Sequence, residues 1–330
     1  MKDQLEAVIH GRKLSSQDAR ALMHAALEEP VNASAVSAFL TALRIHGVSV
    51  DELEGFCQAL LELATPVDLS TEDILDVCGT GGDGKGTFNI STATAFILAA
   101  AGYKVAKHGN YAVSSSCGSS NVLEALGLSF TADQETLKRR LAKTKVCFLH
   151  APLFHPAMKR VAPIRKELGF RTVFNMLGPL VNPARPTFQV NGVYDRELLR
   201  LYGYLLPRQG KRFAALVSTD GYDEVTLTAP LLVVTERGSY ELAPSDFGAS
   251  VLQPGEILGG TTIDESATML RTILQGKGTQ PQEDVVSASA GLVMWTKEGS
   301  GTLAEHVARA REIIRSGAGA TILTRSIELV

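Results

Sequence analysis

The sequence predicts an α/β protein: a small all-α N-terminal bundle plus a large domain with a mainly parallel sheet flanked by helices. Three observations carry this reading. Residues 1–69 show only helical periodicity, whereas residues 70–330 alternate short apolar runs with amphipathic helical segments. Strands separated by about ten to fifteen helical residues need right-handed crossovers, and such crossovers pair strands in parallel. At the first alternation, Asp76-Val77-Cys78 leads into five glycines within residues 79–86, and an Ala-rich helical pattern follows. Strand, glycine loop and helix start is how a backbone presents free N–H groups and a positive dipole end to a phosphate.

In the N-terminal part, Ser15-Ser16-Gln17-Asp18 and Ser49-Val50-Asp51-Glu52 read as capping boxes ahead of apolar-periodic segments. Between them Ala35, Phe39, Leu40 and Leu43 recur at helical spacing, and Glu29-Pro30 and His46-Gly47 interrupt. Helices this short are marginal alone, so they form a bundle with an apolar face left for a partner surface. Beyond residue 70 the expected strands are 74–77, 104–106, 146–150, 187–193, 213–218 and 231–235. The expected helices are 91–101, 119–126, 134–143, 196–205, 265–274, 283–295 and 303–316. No internal repeat or low-complexity tract interrupts them.

Four constellations fall at predicted strand ends, where parallel sheets bind ligands. The first is the loop Gly79-Thr80-Gly81-Gly82-Asp83-Gly84-Lys85-Gly86-Thr87 with Asn89, Ile90, Ser91 and Thr92 behind it. It misses the spacing of a Walker loop, and Asp83 repels a bare pyrophosphate unless a cation intervenes. The second runs from Lys107-His108-Gly109-Asn110-Tyr111 through the serine-rich stretch that includes Ser115 and Ser119. A lysine, an amide and several hydroxyls suit a phosphorylated sugar; alone such a stretch reads more often as a solvated turn, and pairing with the first loop in a parallel sheet reverses that. The third, Ser218-Thr219-Asp220-Gly221-Tyr222-Asp223-Glu224, follows an apolar strand; its Asp-Glu pair suits an exposed surface or Mg²⁺, which takes one or two carboxylates with waters and phosphate oxygens. The fourth is Arg165-Lys166-Glu167-Leu168-Gly169, whose arginine suits a substrate carboxylate or a solvated helix face.

Gross composition narrows the partners. A formal net charge of −3, with 32 Lys+Arg against 35 Asp+Glu, gives no general attraction to nucleic acid or anionic membrane. Phosphate recognition is therefore local. Cys57, Cys78, Cys117 and Cys147 lie far apart and form neither a disulfide framework nor metal-type spacing, so they read as buried reduced thiols. The polar start at Met1-Lys2-Asp3-Gln4 and the short apolar stretch 95–101 fit neither a signal peptide nor a membrane span, and the expected location is cytoplasmic.

In this order the motifs closely resemble the anthranilate phosphoribosyltransferase family of tryptophan biosynthesis, over essentially the whole length. The markers are Gly79-Thr80-Gly81-Gly82-Asp83, Asn89-Ile90-Ser91-Thr92, Lys107-His108-Gly109-Asn110, Arg165-Lys166-Glu167-Leu168-Gly169 and Asp223-Glu224. The resemblance implies 5-phosphoribosyl-1-pyrophosphate (PRPP), Mg²⁺ and anthranilate as ligands. It implies a PRPP site of Gly79, Gly82, Asp83, Thr87, Asn89, Ile90, Ser91, Thr92, Lys107, Ser115 and Ser119. Gly79, His108, Asn110 and Arg165 are implied for anthranilate, and Ser91, Asp223 and Glu224 for the metal. It also implies a returning helical segment near 160–185 and a homodimer through the helical domain. One position departs: Tyr111 stands where an arginine is expected after Lys-His-Gly-Asn. The nearest alternative is a pyrimidine nucleoside phosphorylase of the same fold, which needs no metal carboxylates; Asp223-Glu224 argues against it. A dinucleotide oxidoreductase is disfavoured because Lys104 and Lys107 stand where an acidic ribose partner belongs.

Overall fold

The computed structural model describes residues 2–111 and 117–329. The chain divides into two compact units, Met1–Val67 with Ala151–Arg185, and Asp68–His150 with Pro186–Val330. It begins in the helical unit with α1 (Lys2–Ile9), α2 (Ser16–Leu27), α3 (Ala33–His46) and α4 (Val50–Glu62). It then enters the second unit through β1 (Leu75–Val77), α5 (Ile90–Ala100), β2 (Val105–Gly109), α6 (Ser119–Ala125), α7 (Gln134–Thr144) and β3 (Val146–His150). The helical unit receives it again for α8 (Ala151–Phe154), α9 (Met158–Leu168) and α10 (Phe174–Leu177). The remainder is β4 (Phe188–Gly192), α11 (Arg196–Arg208), β5 (Arg212–Ser218), β6 (Leu231–Thr235), β7 (Gly238–Leu242), α12 (Ile263–Leu274), α13 (Gln280–Glu298), α14 (Leu303–Arg315) and α15 (Ala318–Glu328).

In the helical unit, Leu22, Met23, Phe39, Leu40, Leu53 and Phe56 are buried, and Phe39 meets Phe56 edge to face at 5.6 Å. The reciprocal box at Ser49 and Glu52 caps α4. The buried Glu52 carboxylate accepts the N–H groups of Ser49 at 2.7 Å and Leu14 at 3.1 Å, which ties the start of α4 to the approach of α2. The expected box at Ser15 is only half built. Ser15 Oγ accepts the Asp18 N–H, but the shorter aspartate turns to the Ser15 hydroxyl at 2.7 Å instead of reaching back to the backbone. The returning segment is tied in at Thr65 N–H to Phe154 O (2.8 Å) and Arg160 Nη1 to Leu27 O (2.7 Å).

Among the described residues the second unit holds one seven-stranded sheet of order β3-β2-β1-β4-β5-β6-β7. The first five strands pair in parallel, as expected; β6 and β7 close the edge as antiparallel strands. β3 and β4 are buried along their whole length, the pattern of strands covered on both faces. α5 is the central helix of the unit: Phe96, Ile97 and Leu98 are fully buried, and α12, α13, α14 and α15 all pack on it. β1 lies between β2 and β4, so the chain builds outward from β1 in both directions. Such a reversal opens a crevice beyond the carboxyl ends of the two central strands, and ligands bind there.

Candidate functional site

The glycine loop occupies that crevice. It leaves β1 hydrogen-bonded to the neighbouring strand, with Cys78 N–H donating to Val190 O at 3.0 Å and Thr80 N–H to Gly192 O at 2.9 Å. Gly192, the last residue of β4, has no room for a side chain because a Cβ there would lie 1.6 Å from the Asp223 carbonyl oxygen. A Cβ on Gly79 would come within 2.9 Å of Asp223 Oδ2. The two glycines thus let Asp223, from the loop after β5, sit directly against the phosphate-type loop after β1. Its Oδ2 accepts the Gly81 N–H at 2.6 Å and the more distant Thr80 hydroxyl at 3.5 Å.

Glu224 turns toward the next helix. Its Oε1 accepts the Ser91 N–H at 3.3 Å, in the first turn of α5. Lys107 Nζ donates to Val77 O at 2.5 Å and to Ser91 Oγ at 3.3 Å, which places a buried cation under the same helix start. Asn89, at the N-cap of α5, makes no side-chain cap bond, so its amide is not spent on the helix. Loop, carboxylate pair, lysine and helix N-terminus therefore meet, and a cavity of about 30 Å³ beneath them is lined by Cys78, Ser91, Asp223, Glu224 and Ser289.

Acidic groups crowd one another at this corner. Burial, then the neighbouring Glu224 and Asp83 charges, push the Asp223 carboxyl well above its ordinary range. Burial also raises Glu224, with Lys107 and the Ser91 hydrogen bonds opposing. Asp83 Oδ1 accepts the Lys85 N–H at 3.0 Å, whereas its Oδ2 is buried without a hydrogen-bond donor. Among the described residues no three His, Cys, Asp or Glu side chains converge on one metal position. A hard divalent ion held by one or two carboxylates and by substrate oxygens does not need three, and the crowded oxygen donors fit Mg²⁺. Cys78 beside them is inert, its thiol pushed up to about 12 by burial and the adjacent Asp76 charge.

The second constellation differs from expectation in one respect. Lys107 and His108 lie within β2, because pairing with β3 continues as far as Gly109 opposite His150. Both are buried, and Asp76 Oδ1 of β1 accepts the His108 N–H at 3.2 Å. Asn110 follows at the strand end; its carbonyl accepts the Ser120 N–H at 3.2 Å and the Ser119 hydroxyl at 3.4 Å. Tyr111 turns away from a ligand-like role: its phenol donates to Glu124 at 2.9 Å, and its ring stands edge-on to His150 at 4.5 Å. Ser115 lies outside the described residues.

Arg165 belongs to the helical unit, on α9, with its guanidinium 5.2 Å from the Phe174 ring; burial lowers its pKa. Residue patterns alone gave no role to Asp76, Gly192 or Tyr222. Asp76 left a signal, a carboxylate inside an apolar strand, and it is fully buried. Tyr222 stands inside the run 218–224 with no chemical signal of its own, yet its ring carries the Lys85 ammonium at 4.9 Å from the centroid.

Comparisons with known proteins agree along the chain. The helical bundle domain of the glycosyl transferase family matches residues 2–64, and the family's a/b domain matches residues 71–320. The anthranilate phosphoribosyltransferase of Flavobacterium psychrophilum is 47% identical over 329 residues, covering 100% of this chain and 99% of its own length. That of Cytophaga hutchinsonii is 45% identical over 317 residues, covering 96% and 97%. Among solved structures, anthranilate phosphoribosyltransferase from Thermus thermophilus superposes with a TM-score of 0.93 at 37% identity, covering 99% of both chains. The Saccharomyces cerevisiae enzyme in complex with PRPP and Mg superposes at 0.92 with 29% identity, covering 99% of this chain and 96% of that one.

Proposed function

The chain belongs to the anthranilate phosphoribosyltransferase family of glycosyl transferases, and from that premise we propose how its residues perform the reaction. It transfers the phosphoribosyl group of PRPP to the amine of anthranilate, giving N-(5-phosphoribosyl)anthranilate and pyrophosphate. The observation that carries this reading is the glycine loop seated on the buried Asp223, at the reversal point of the sheet. A nucleoside phosphorylase, the alternative, has no use for that carboxylate pair.

In this reading Gly79, Gly82, Asp83, Thr87, Asn89, Ile90, Ser91, Thr92, Lys107 and Ser119 line the PRPP site, together with Ser115. Ser91, Asp223 and Glu224 hold Mg²⁺, which when bound offsets the charge of the pyrophosphate. Gly79, His108 and Asn110 meet anthranilate, and Arg165 pairs with its carboxylate; the support for Arg165 is a buried guanidinium held against an aromatic ring.

The anthranilate amine displaces pyrophosphate at ribose C1 with inversion, through an oxocarbenium-like transition state. The demand on the protein is to stabilise the departing pyrophosphate. Preorganised loop N–H groups and the Lys107 ammonium meet that demand without reorganising during the reaction. An arylamine is unprotonated at neutral pH, and the acidic proton its nitrogen carries after attack passes to water or to the departing pyrophosphate; no side chain is assigned as general base, and positioning beside C1 supplies the acceleration. The helical unit pairs with a second copy of the chain in this reading, supported by Ile9 and Ile45, which are 47% and 70% exposed. Location in the cytoplasm is supported by the absence, among the described residues, of a helix long and apolar enough to cross a membrane.

Pyrophosphate release in the presence of PRPP and anthranilate tests the reading. Release should stop on adding a chelator and return with Mg²⁺. Phosphorolysis of thymidine or uridine with inorganic phosphate and no metal would instead favour the alternative.

A further inference from the structure

The distal limb of the glycine loop has little of its own to hold it. Gly84 and Gly86 both sit at positive φ, and the bonds to Asp223 and Gly192 reach only as far as Gly81. What holds residues 86–88 is a distant segment. Phe88 N–H donates to Ile257 O at 3.2 Å and Gly259 N–H to Gly86 O at 2.9 Å, with Thr87 bridged antiparallel to Leu258. The approach is backbone on backbone. A Cβ on Gly259 would stand 2.9 Å from Thr87 O and 3.2 Å from both Phe88 N and Phe88 Cα. Those atoms cannot swing aside as a side-chain tip could, so the loop itself would have to move.

The segment is anchored behind. Glu265, in the first turn of α12, accepts the Thr261 N–H at 2.7 Å and its hydroxyl at 2.6 Å. A Cβ on Gly260 would meet Ser266 N at 2.6 Å, so the strap lies flat on the helix start. The glycine loop is thereby registered to α12, which is packed on α5.

We infer that Gly259 is a positioning residue for PRPP: its backbone strap sets where Thr87 and the distal loop N–H groups stand. This rests on the phosphoribosyl-transfer reading above. The effect falls on PRPP, because the strap meets the loop at residues 86–88, where this reading places Thr87 and no anthranilate contact.

Steady-state kinetics with each substrate varied in turn test this. Gly259→Ala should raise KM for PRPP by roughly ten- to a hundredfold, the effect of a displacement near 1 Å, while KM for anthranilate stays within about twofold. Gly255→Ala serves as control, since a Cβ there meets nothing within 4 Å, and both constants should match the wild type. Glu265→Ala frees the strap without adding bulk and should raise the PRPP constant alone, by less; it decides the matter if Gly259→Ala fails to fold. An unchanged PRPP constant in Gly259→Ala, or equal rises for both substrates, would overturn the inference while leaving the reaction intact. A wild-type protein inactive on PRPP and anthranilate would instead overturn the functional reading on which the inference stands.

Discussion

Replacing Asp223 by asparagine should make the metal-free protein more stable and the enzyme nearly inactive. The side chain is 6% exposed, and burial and the charges of Glu224 and Asp83 all oppose its ionisation. Because the fold opposes an ionisation that the unfolded chain undergoes freely, this carboxyl costs folding on the order of a few kcal/mol at neutral pH. Asparagine removes that penalty and can still accept the Gly81 N–H through its amide oxygen. The bond becomes neutral and loses about 1 kcal/mol. The net gain is about 1–2 kcal/mol, or a rise of roughly 2–8 °C in Tm for a unit of this size. The pH dependence has a definite sign. A carboxyl whose native pKa lies above its ordinary 3.8 favours folding most below that value, and the contribution is lost as pH rises through the raised one. In chelator the wild type should therefore weaken from acid toward neutral pH more steeply than the variant. Turnover should fall by at least roughly a hundredfold, because the substitution weakens the grip on the pyrophosphate charge. Differential scanning calorimetry in chelator, paired with the turnover assay, measures both. A variant less stable than wild type in chelator, or one keeping wild-type turnover, would refute the reasoning.

Arg165→Ala should raise KM for anthranilate by roughly tenfold or more, the loss of a charged hydrogen bond, with a smaller change for PRPP; a shift in the PRPP constant alone would contradict carboxylate pairing. His155 is buried, which depresses its pKa from 6.5 to about 4. Its neutral form favours folding, so this contribution is complete above pH 6.5 and lost as pH falls toward 4. At 1.36 kcal/mol per pH unit that amounts to roughly 3 kcal/mol, and His155→Gln should flatten this part of the acid stability curve. Cys78 and Cys147, both pushed up to about 12 by burial, should resist iodoacetamide at pH 7.5 in the native protein and react once it is unfolded in urea.

Where tertiary structure leaves the local pattern alone, the sequence is readable to the residue. The runs 146–150 and 231–235 are strands with those same limits, since each is a continuous apolar stretch between turns. β7 was not expected. Gly238-Ser239-Tyr240-Glu241-Leu242 has little apolar character because it is a half-exposed edge strand, built by pairing with β6 rather than by its own propensity. α15 was likewise not expected, since it starts at Gly317 with no side-chain cap and is held by packing on α5. In the site, the glycine loop and Asp223-Glu224 were visible as motifs, being local in the chain. Their meeting was not, because it depends on Gly192, an unremarkable residue whose lack of a side chain admits Asp223. Lys107 and His108 read as loop residues because polar side chains inside a buried strand run against propensity; there Val77 O accepts from the Lys107 ammonium, and Asp76 accepts the His108 backbone N–H.

The most direct measurement is the fluorescence of anthranilate on mixing with protein, PRPP and Mg²⁺, with each component omitted in turn. The account predicts loss of the signal only when all are present, with pyrophosphate formed in equal amount. Persistent fluorescence in the complete mixture, or its loss in the absence of PRPP, would contradict it.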